Sequence, residues 1–298
     1  MSFRTVLRRL AVLLVLAASC ATFVSAQKRP DLLFMTDFGS NNDAVPICKG
    51  VMWQIVPDLH IVDITHDVVP FSIIDGARYL YGVAPYYPEG TVFVIVVDPG
   101  VGSSRKAIVA KSKKGQYFVL PDNGLLTFVQ DRDGIEGVHE ITNPGFMIGA
   151  GISSTFHGRD IFSPAGAHVA KGDDWTKAGP EVPVAQLVRL NVPKAAVTAD
   201  KLSGSIIGID YPFGNLITNV MRDDFAKLGY KAGDQLPVTL GASEMQIPFV
   251  KTFSDVPVGQ TLAFIDSRGR LSFAMNQDNF AKTYNIKPPV SFVILKKQ

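Results

Sequence analysis

Cysteine is scarce in this chain, which contains only Cys20 and Cys48. Because Cys20 falls within a signal peptide predicted for residues 1–26, Cys48 alone would remain after cleavage. A single cysteine cannot form an intramolecular disulfide, so the fold depends on its core even in an oxidising compartment. Cys48 lies at helical spacing among apolar residues, which predicts a buried, unreactive thiol.

A charge imbalance is also lacking. Cleavage after residue 26 would remove three of the 29 basic residues and none of the 27 acidic ones, leaving 26 against 27. A chain so close to neutrality has no electrostatic footprint for nucleic acid or for a membrane surface. The sequence also contains no G-x-G-x-x-G or Walker phosphate loop, no H-E-x-x-H metal motif and no internal repeat.

The N-terminus predicts export. Three arginines precede an apolar core at Leu10–Ala18, and Val24-Ser25-Ala26 is a small-residue cleavage site before Gln27. The apolar run is too short to span a bilayer comfortably. We therefore expect a periplasmic or secreted protein, with a lipoprotein anchored through Cys20 as the less favoured alternative.

Two textures divide the remaining 272 of 298 residues, a length that suits about two domains. Apolar strands alternate with helical spacing over residues 27–192, which predicts an α/β layered domain with a mostly parallel sheet. From residue 193 to 298, short β-rich runs are separated by Gly, Asp and Pro, which predicts a smaller all-β barrel. In the first domain, functional groups should gather at the carboxyl ends of the strands, where Asp37, His66 and Asp98 fall.

Two tracts of the first domain carry groups suited to chemistry. One ends the apolar strand Thr91–Val97 with Asp98, a Gly-rich turn and Arg105. The other is Thr155–Pro164, which contains His157 just before an Ala-rich helical run. A histidine there can exchange a proton near neutral pH. Asp37, at another strand end, is placed to grip ribose hydroxyls, whereas Asp43 is better explained as a helix cap.

Other groups have two interpretations. Asp63, His66 and Asp67 could join Asp37 as ligands of a divalent metal, but a structural His66 is favoured because no metal-ligand spacing supports that site. The tract Asp210–Asn215 could hydrogen-bond and stack on a planar heterocycle, or could simply be a β-turn. The turn around Arg268 could bind a carboxylate or be a solvated hairpin turn.

The ordered set of motifs resembles the S-adenosyl-L-methionine (SAM) hydrolases, also called SAM hydroxide adenosyltransferases, which are related to fluorinating and chlorinating enzymes. The resemblance covers about residues 31–296. The motifs that carry it are Thr36-Asp37-Phe38-Gly39, Asp98-Pro99-Gly100-Val101-Gly102 with Arg105, Pro121–Leu126, Phe156–Asp160, Asp210 to Asn219, and Ser267-Arg268-Gly269.

The resemblance implies a homotrimer that hydrolyses SAM to adenosine and L-methionine between subunits, with no metal or organic cofactor. Within it, Asp98, Arg105 and His157 match the water-handling triad, and the halogenating relatives lack the matching aspartate and histidine. It implies the following substrate contacts: Asp37 for the ribose; Phe71, Phe156, Phe213 and Phe253 for the nucleoside walls; Asn215 for adenine; Ser267 and Arg268 for the methionine carboxylate; and Asn191 and Asp210 for the pocket lining.

Two features depart from that pattern. Asn42 stands where relatives usually carry an aspartate facing the substrate ammonium. The predicted export is unusual for an enzyme of SAM, which is made in the cytoplasm. Two other functions therefore stay open: a halide-dependent adenosyltransferase, and a non-catalytic periplasmic protein that binds adenosine or SAM.

Overall fold

A computed structural model describes residues 31–149 and 151–297 of the chain. The predicted signal peptide, with Cys20, lies outside the described residues. Among the helices of the described ranges, none combines the length and the apolarity that crossing a membrane requires.

The first part of the chain forms a six-stranded sheet. The strands stand in the order β2-β1-β3-β5-β4-β6, and β2, β1, β3 and β5 are parallel, whereas β4 runs antiparallel to both of its neighbours. The sheet is thus mostly parallel, as predicted. Its strands are β1 (Asp31–Thr36), β2 (His60–Thr65), β3 (Val92–Val96), β4 (Ala107–Ser112), β5 (Tyr117–Pro121) and β6 (Ile135–Glu140).

Helices cover both faces of this sheet because its central strands are apolar on both sides. Successive residues of a strand point to opposite faces, so Leu32 and Phe34 pack in one core cluster and Leu33 and Met35 in the other. The first cluster includes helices α1 (Ala44–Ile55) and α4 (Ser163–Lys171), and the second includes α2 (Ile73–Val83) and α3 (Thr127–Asp133). The result is a three-layer α/β arrangement.

Cys48 lies in the first of these clusters with no exposed surface. Burial raises the pKa of its thiol to about 11. The predicted buried and unreactive thiol is confirmed.

Helix α4 approaches the sheet closely at Gly166. A Cβ at this position would overlap Cγ2 of Val94 in β3. We therefore expect Gly166→Ala to lower the free energy of unfolding by about 1–3 kcal/mol through overpacking. Gly50→Ala in α1 is the matched control, because nothing lies within 4 Å of the added carbon, and it should stabilise by about 0.5–1 kcal/mol. Urea unfolding measures both, and equal effects would contradict the packing argument.

The later part of the chain forms an antiparallel sheet that is nearly closed into a barrel. Its order is β11-β10-β14-β8-β9-β13-β12, with the short β7 paired to β8. A bridge between Phe249 and Ala263 brings the two ends of the order together. The strands are β7 (Ala196–Val197), β8 (Lys201–Asp210), β9 (Asn215–Met221), β10 (Gln235–Leu240), β11 (Ser243–Pro248), β12 (Thr261–Ile265), β13 (Arg270–Met275) and β14 (Val290–Leu295). Two short helices, α5 (Arg222–Ala226) and α6 (Phe280–Thr283), flank it.

A buried ion pair joins the two sheets. Arg78 of α2 has no exposed surface and donates to Oδ1 of Asp75 at 2.9 Å and to the carbonyl oxygen of Ile209 at 3.0 Å. Ile209 belongs to β8, so one guanidinium links the α/β layer to the barrel. Gly208 makes room for it, since a Cβ there would lie 2.7 Å from Nε of Arg78.

Candidate active site

Asp37 and Asp98 lie at the carboxyl ends of neighbouring strands. Thr36 of β1 pairs with Val96 of β3, so the two carboxylates follow at the same edge of the sheet. Burial raises the pKa of Asp37, and the negative charge of Asp98 acts in the same direction. The backbone N–H of Phe71 opposes this by donating to Oδ2 of Asp37 at 2.9 Å. This carboxylate is partly held by the chain and partly free to accept from a ligand.

Asp98 and Arg105 form a bidentate ion pair across the Gly-rich turn. Nε of Arg105 donates to both oxygens of Asp98 at 3.0 and 2.9 Å, and Nη2 donates to Oδ2. Only 5% of the Asp98 side chain and 10% of the Arg105 side chain are exposed. The guanidinium also lies over the ring of Phe162, 5.1 Å from its centroid. Such a fork fixes both groups in orientation as well as in distance.

His157 extends this pair into a chain of three residues. Its Nδ1 lies 2.7 Å from Nη2 of Arg105. Because a guanidinium can only donate, Nδ1 must be the acceptor, and the proton of the neutral ring is on Nε2. Burial lowers the pKa of His157, and the positive charge of Arg105 lowers it further. His157 is therefore a neutral imidazole whose Nε2–H is available to donate.

A close backbone approach brings the two sequence tracts together. Gly102 has φ +76, and a Cβ on it would overlap the carbonyl oxygen of Ser154. Three residues after Ser154 comes His157, at the start of a π-helical turn over Gly158–Phe162. Its i→i−5 bond, from Ser163 N–H to the Gly158 carbonyl, precedes α4 directly. Turns of this kind often occur at functional sites.

Aromatic residues line the same sheet edge. Phe156 meets Phe38 edge to face, with ring centroids 5.9 Å apart. Gly158 permits this packing, since a Cβ there would lie 2.8 Å from Cζ of Phe38. Asn42 is exposed nearby, but its amide is already used, donating to the Phe38 carbonyl and accepting from the Ala44 N–H at 2.9 Å.

The barrel contributes a separate cavity of about 1140 Å³. The β8–β9 turn and the β12–β13 turn form much of its wall, and Asp266 orders the second turn by accepting from the backbone N–H groups of Arg268 and Arg270, both at 2.9 Å. Six predicted substrate residues line this one cavity: Asp210, Phe213, Asn215, Phe253, Ser267 and Arg268. The two turns that the sequence left open are thus turns that also build a cavity wall.

Within one chain the predicted residues form two groups. None of Asp37, Asn42, Phe71, Asp98, Arg105, Phe156 and His157 lines the barrel cavity. Asn191 lies in neither group, because it lines a third space between the domains. Phe71 is 72% exposed and Phe213 is 66% exposed. Each group therefore presents a bare aromatic ring to solvent.

The alternative metal site is not formed. Both ring nitrogens of His66 are held by the chain, Nδ1 by Oγ1 of Thr36 at 3.0 Å and Nε2 by Oδ1 of Asp63 at 3.1 Å. Lys49 also pairs with Asp63, at 2.6 Å. Across residues 31–149 and 151–297, no group of three metal-ligating side chains occurs. The structural interpretation of His66 is the one that its contacts support.

One residue with an indirect role was not recognised from the sequence. Asp160 is fully buried and accepts from Arg159 Nε at 2.6 Å and from the Ser153 N–H at 2.7 Å. Burial alone would raise the pKa of this carboxyl, but these donors keep it below its ordinary range. Asp160 thereby holds the loop before His157, and Arg159 stacks on Phe156, 5.2 Å from its centroid. Its place in a motif was visible in the sequence, but its burial was not.

Comparison with known proteins gives consistent matches along the chain. The SAM hydroxide adenosyltransferase N-terminal domain matches residues 32–179, and the SAM hydroxide adenosyltransferase C-terminal domain matches residues 204–291. The (R)-S-adenosyl-L-methionine hydrolase of Salinispora tropica is 36% identical over 260 residues, covering 87% of this chain and 95% of its own length.

Two further matches extend the range. The fluorinase of an Actinoplanes species is 33% identical over 296 residues, covering 91% of this chain and 99% of its own. The crystal structure of an uncharacterized conserved protein from Thermotoga maritima is 38% identical with a TM-score of 0.83, covering 88% of this chain and 99% of that chain. The similar proteins thus include both hydrolases and fluorinases.

Proposed function

Because the chain belongs to the SAM hydroxide adenosyltransferase family, we propose that it is a hydrolase that converts SAM to adenosine and L-methionine. The observation that carries the proposal is the hydrogen-bonded chain from Asp98 through Arg105 to His157. These three side chains lie at a strand edge beside Asp37, which has oxygen atoms free to accept from a ribose. The fluorinases among the relatives keep a halide-dependent adenosyltransferase as the second candidate.

The triad would orient a water molecule for in-line attack on the ribose 5′ carbon. The Nε2–H of His157 donates to the water oxygen, and a free lone pair of Asp98 accepts one of its protons. The C–O bond forms as the C–S bond breaks, and the electron pair of that bond leaves with the sulfur of neutral methionine. The proton released from the attacking water passes to Asp98 and then to solvent. The sulfonium is already a good leaving group, so this step uses no metal or organic cofactor.

The arrangement of charges favours this reaction. Hydroxide character that develops on the water is stabilised by the guanidinium of Arg105, which the fork with Asp98 holds in place before the substrate arrives. A cationic sulfonium and an anionic nucleophile neutralise each other as they react. Exclusion of solvent by Phe71, Phe156, Phe213 and Phe253 would therefore favour the transition state.

A complete site requires both groups of residues. We infer that it forms in a homotrimer, between the strand edge of one subunit and the barrel cavity of the next. The separation of the two groups within one chain and the exposed rings of Phe71 and Phe213 support this inference. Asp37 would then hold the ribose, Asn215 adenine, and Ser267 with Arg268 the methionine carboxylate, while Asn42 would face the ammonium as a neutral amide.

Subunit mixing tests the shared site. Asp98→Asn and Asn215→Ala proteins should each be nearly inactive, and a mixture that has exchanged subunits should regain part of the activity because some interfaces contain two intact halves. A mixture of Asp98→Asn with His157→Ala is the control, since both changes fall in the same half. Activity that is not restored in the first mixture, or a monomer by light scattering at assay concentration, would contradict a shared site.

Product identification tests the reaction itself. Purified protein is incubated with SAM, with and without chloride, fluoride and a chelator, and the products are identified by mass spectrometry. Adenosine and methionine under every condition support hydrolysis, and a 5′-haloadenosine supports the halide-dependent alternative. Unchanged bound ligand would indicate a non-catalytic binding protein. We also propose export with cleavage after Ala26, which an intact N-terminus on cytoplasmic protein would contradict.

The pH dependence of turnover follows from the state of His157. Its ring must be neutral for Nδ1 to accept from Arg105, and its pKa lies below the ordinary value of 6.5. Activity should therefore stay level as the pH falls through 6.5 and decline only in more acidic solution, where the ring gains a proton and is repelled by Arg105. In a His157→Gln variant the remaining activity should lack this decline. A loss of activity that begins above pH 6.5 would contradict the assigned protonation state.

A further inference from the structure

A third cavity, of about 790 Å³, lies between the α/β layer and the barrel. Its wall combines Tyr81, Phe128 and the segment that connects the domains with β9 and the start of β13. Apart from Asn191, none of the residues predicted to bind substrate lines it. The proposed reaction therefore leaves this cavity without a role.

Arg270 is the unusual residue of this wall. It is 6% exposed, and its guanidinium makes no hydrogen bond or ion pair within the described ranges of the chain. Nη1 is fully buried and has no partner. A buried charge is normally paired, and an unpaired buried donor usually marks an ion or water that binds there.

The contacts that Arg270 does make are insufficient compensation. Its Cζ lies 5.1 Å from the ring centroid of Tyr81 and 5.9 Å from that of Phe128, so the charge has weak cation–π contacts. Burial lowers the pKa of Arg270, as expected for a cation without a counterion. By contrast Arg132, which also lies over Tyr81, donates to Asp133 and to the Tyr81 carbonyl.

The acidic residues of the wall do not neutralise Arg270, because each has another partner. Asp131 pairs with Arg189 at 2.5 Å, and Asp224 pairs with Lys227 at 2.6 Å. Lys194 adds a further positive charge to the lining. The cavity therefore has an excess of positive charge, centred on a guanidinium with free donors.

We propose that this inter-domain cavity binds a small oxyanion, of the carboxylate or phosphate class, through the guanidinium of Arg270. The planar fork of a guanidinium matches a pair of oxygen atoms in either group. Tyr81, Phe128 and Ile207 supply apolar surface for the rest of the ligand. The ligand would contact both domains at once and would be chemically distinct from the cationic sulfonium that the barrel cavity is proposed to hold.

Arg268 offers a matched control, because it is the same residue type two positions away and lines the other cavity. It could bind oxyanions itself, so the Arg268→Gln variant is the background for the test. Inorganic phosphate and benzoate are titrated separately into this full-length protein by calorimetry. Binding should persist in Arg268→Gln and weaken about tenfold or more when Arg270→Gln is added, since charge-assisted bonds are lost. Adding Arg189→Gln instead should change affinity less than about twofold, because this exposed guanidinium already pairs with Asp131.

The outcomes separate the two ligand classes. Binding of phosphate alone, of benzoate alone or of both supports the proposal and names the class. Affinity that Arg270→Gln leaves unchanged, or no binding in the background variant, would overturn it. Should Arg270→Gln fail to fold, crystals of the unaltered protein soaked in selenate replace it: an anomalous peak about 3 Å from Nη1 of Arg270 supports the site, and an empty cavity rejects it.

Discussion

His157→Ala is expected to lower kcat for SAM by about 10²-fold or more, the usual contribution of a residue that handles a proton. The change removes the Nε2–H that orients water and leaves Nη2 of Arg105 without its 2.7 Å contact to Nδ1. SAM affinity should change little, because these groups act on the water and not on the substrate. Steady-state kinetics together with direct binding of SAM measures the two effects separately.

Two other variants make this prediction specific. Asp98→Asn should resemble His157→Ala, because it removes the proton acceptor and weakens the fork that holds Arg105. Asp37→Ala should show the opposite division, with weaker binding through the lost ribose contacts and a smaller loss of kcat. A His157→Ala enzyme with normal turnover, or one whose whole defect lies in SAM binding, would show that the triad does not activate water.

Asp75→Leu is expected to lower the free energy of unfolding by about 3–5 kcal/mol. The side chain of Arg78 is 1% exposed, so removal of its carboxylate partner leaves a charge that water cannot reach. The single bond to the Ile209 carbonyl remains, but it does not neutralise the cation. Denaturant unfolding monitored by circular dichroism gives the change.

The double variant Asp75→Leu/Arg78→Met provides the control. Replacing both members of a buried pair by apolar residues of similar size removes the desolvation cost along with the attraction, so the double variant should be clearly more stable than Asp75→Leu alone. If both variants lose the same stability, the loss comes from packing against Gly208 and not from the charge.

Much of the fold could be predicted because its elements follow simple patterns. The run at Val92–Val96 is apolar at every position, which is typical of a central strand, and its bounds were predicted within one residue. The barrel strands β12 and β14 were likewise predicted from apolar runs between turn residues. The insertion of antiparallel β4 at one side of β5 was not predicted, since pairing between strands depends on contacts that local patterns do not record.

The site was predictable in part for the same reason. Strand ends place Asp37 and Asp98 together, and the two tracts that contain Arg105 and His157 were recognised as functional. The tautomer of His157 could not be predicted, because it depends on which ring nitrogen faces a guanidinium 52 positions earlier. The buried charges of Arg78 and Arg270 were also not recognised, since a sequence gives charge but not exposure.

The π-helical turn at Gly158–Phe162 has a consequence for how the family can vary. Such a turn holds one residue more than an α-helical turn, so deletion of a single residue would restore a regular helix and rotate the preceding chain by about 100°. A different side chain would then face the Asp98–Arg105 pair, while α4 and the sheet stayed unchanged. Homologues whose alignment shows a one-residue gap here should therefore be examined for altered chemistry, because the length of this turn could change the reaction without any substitution.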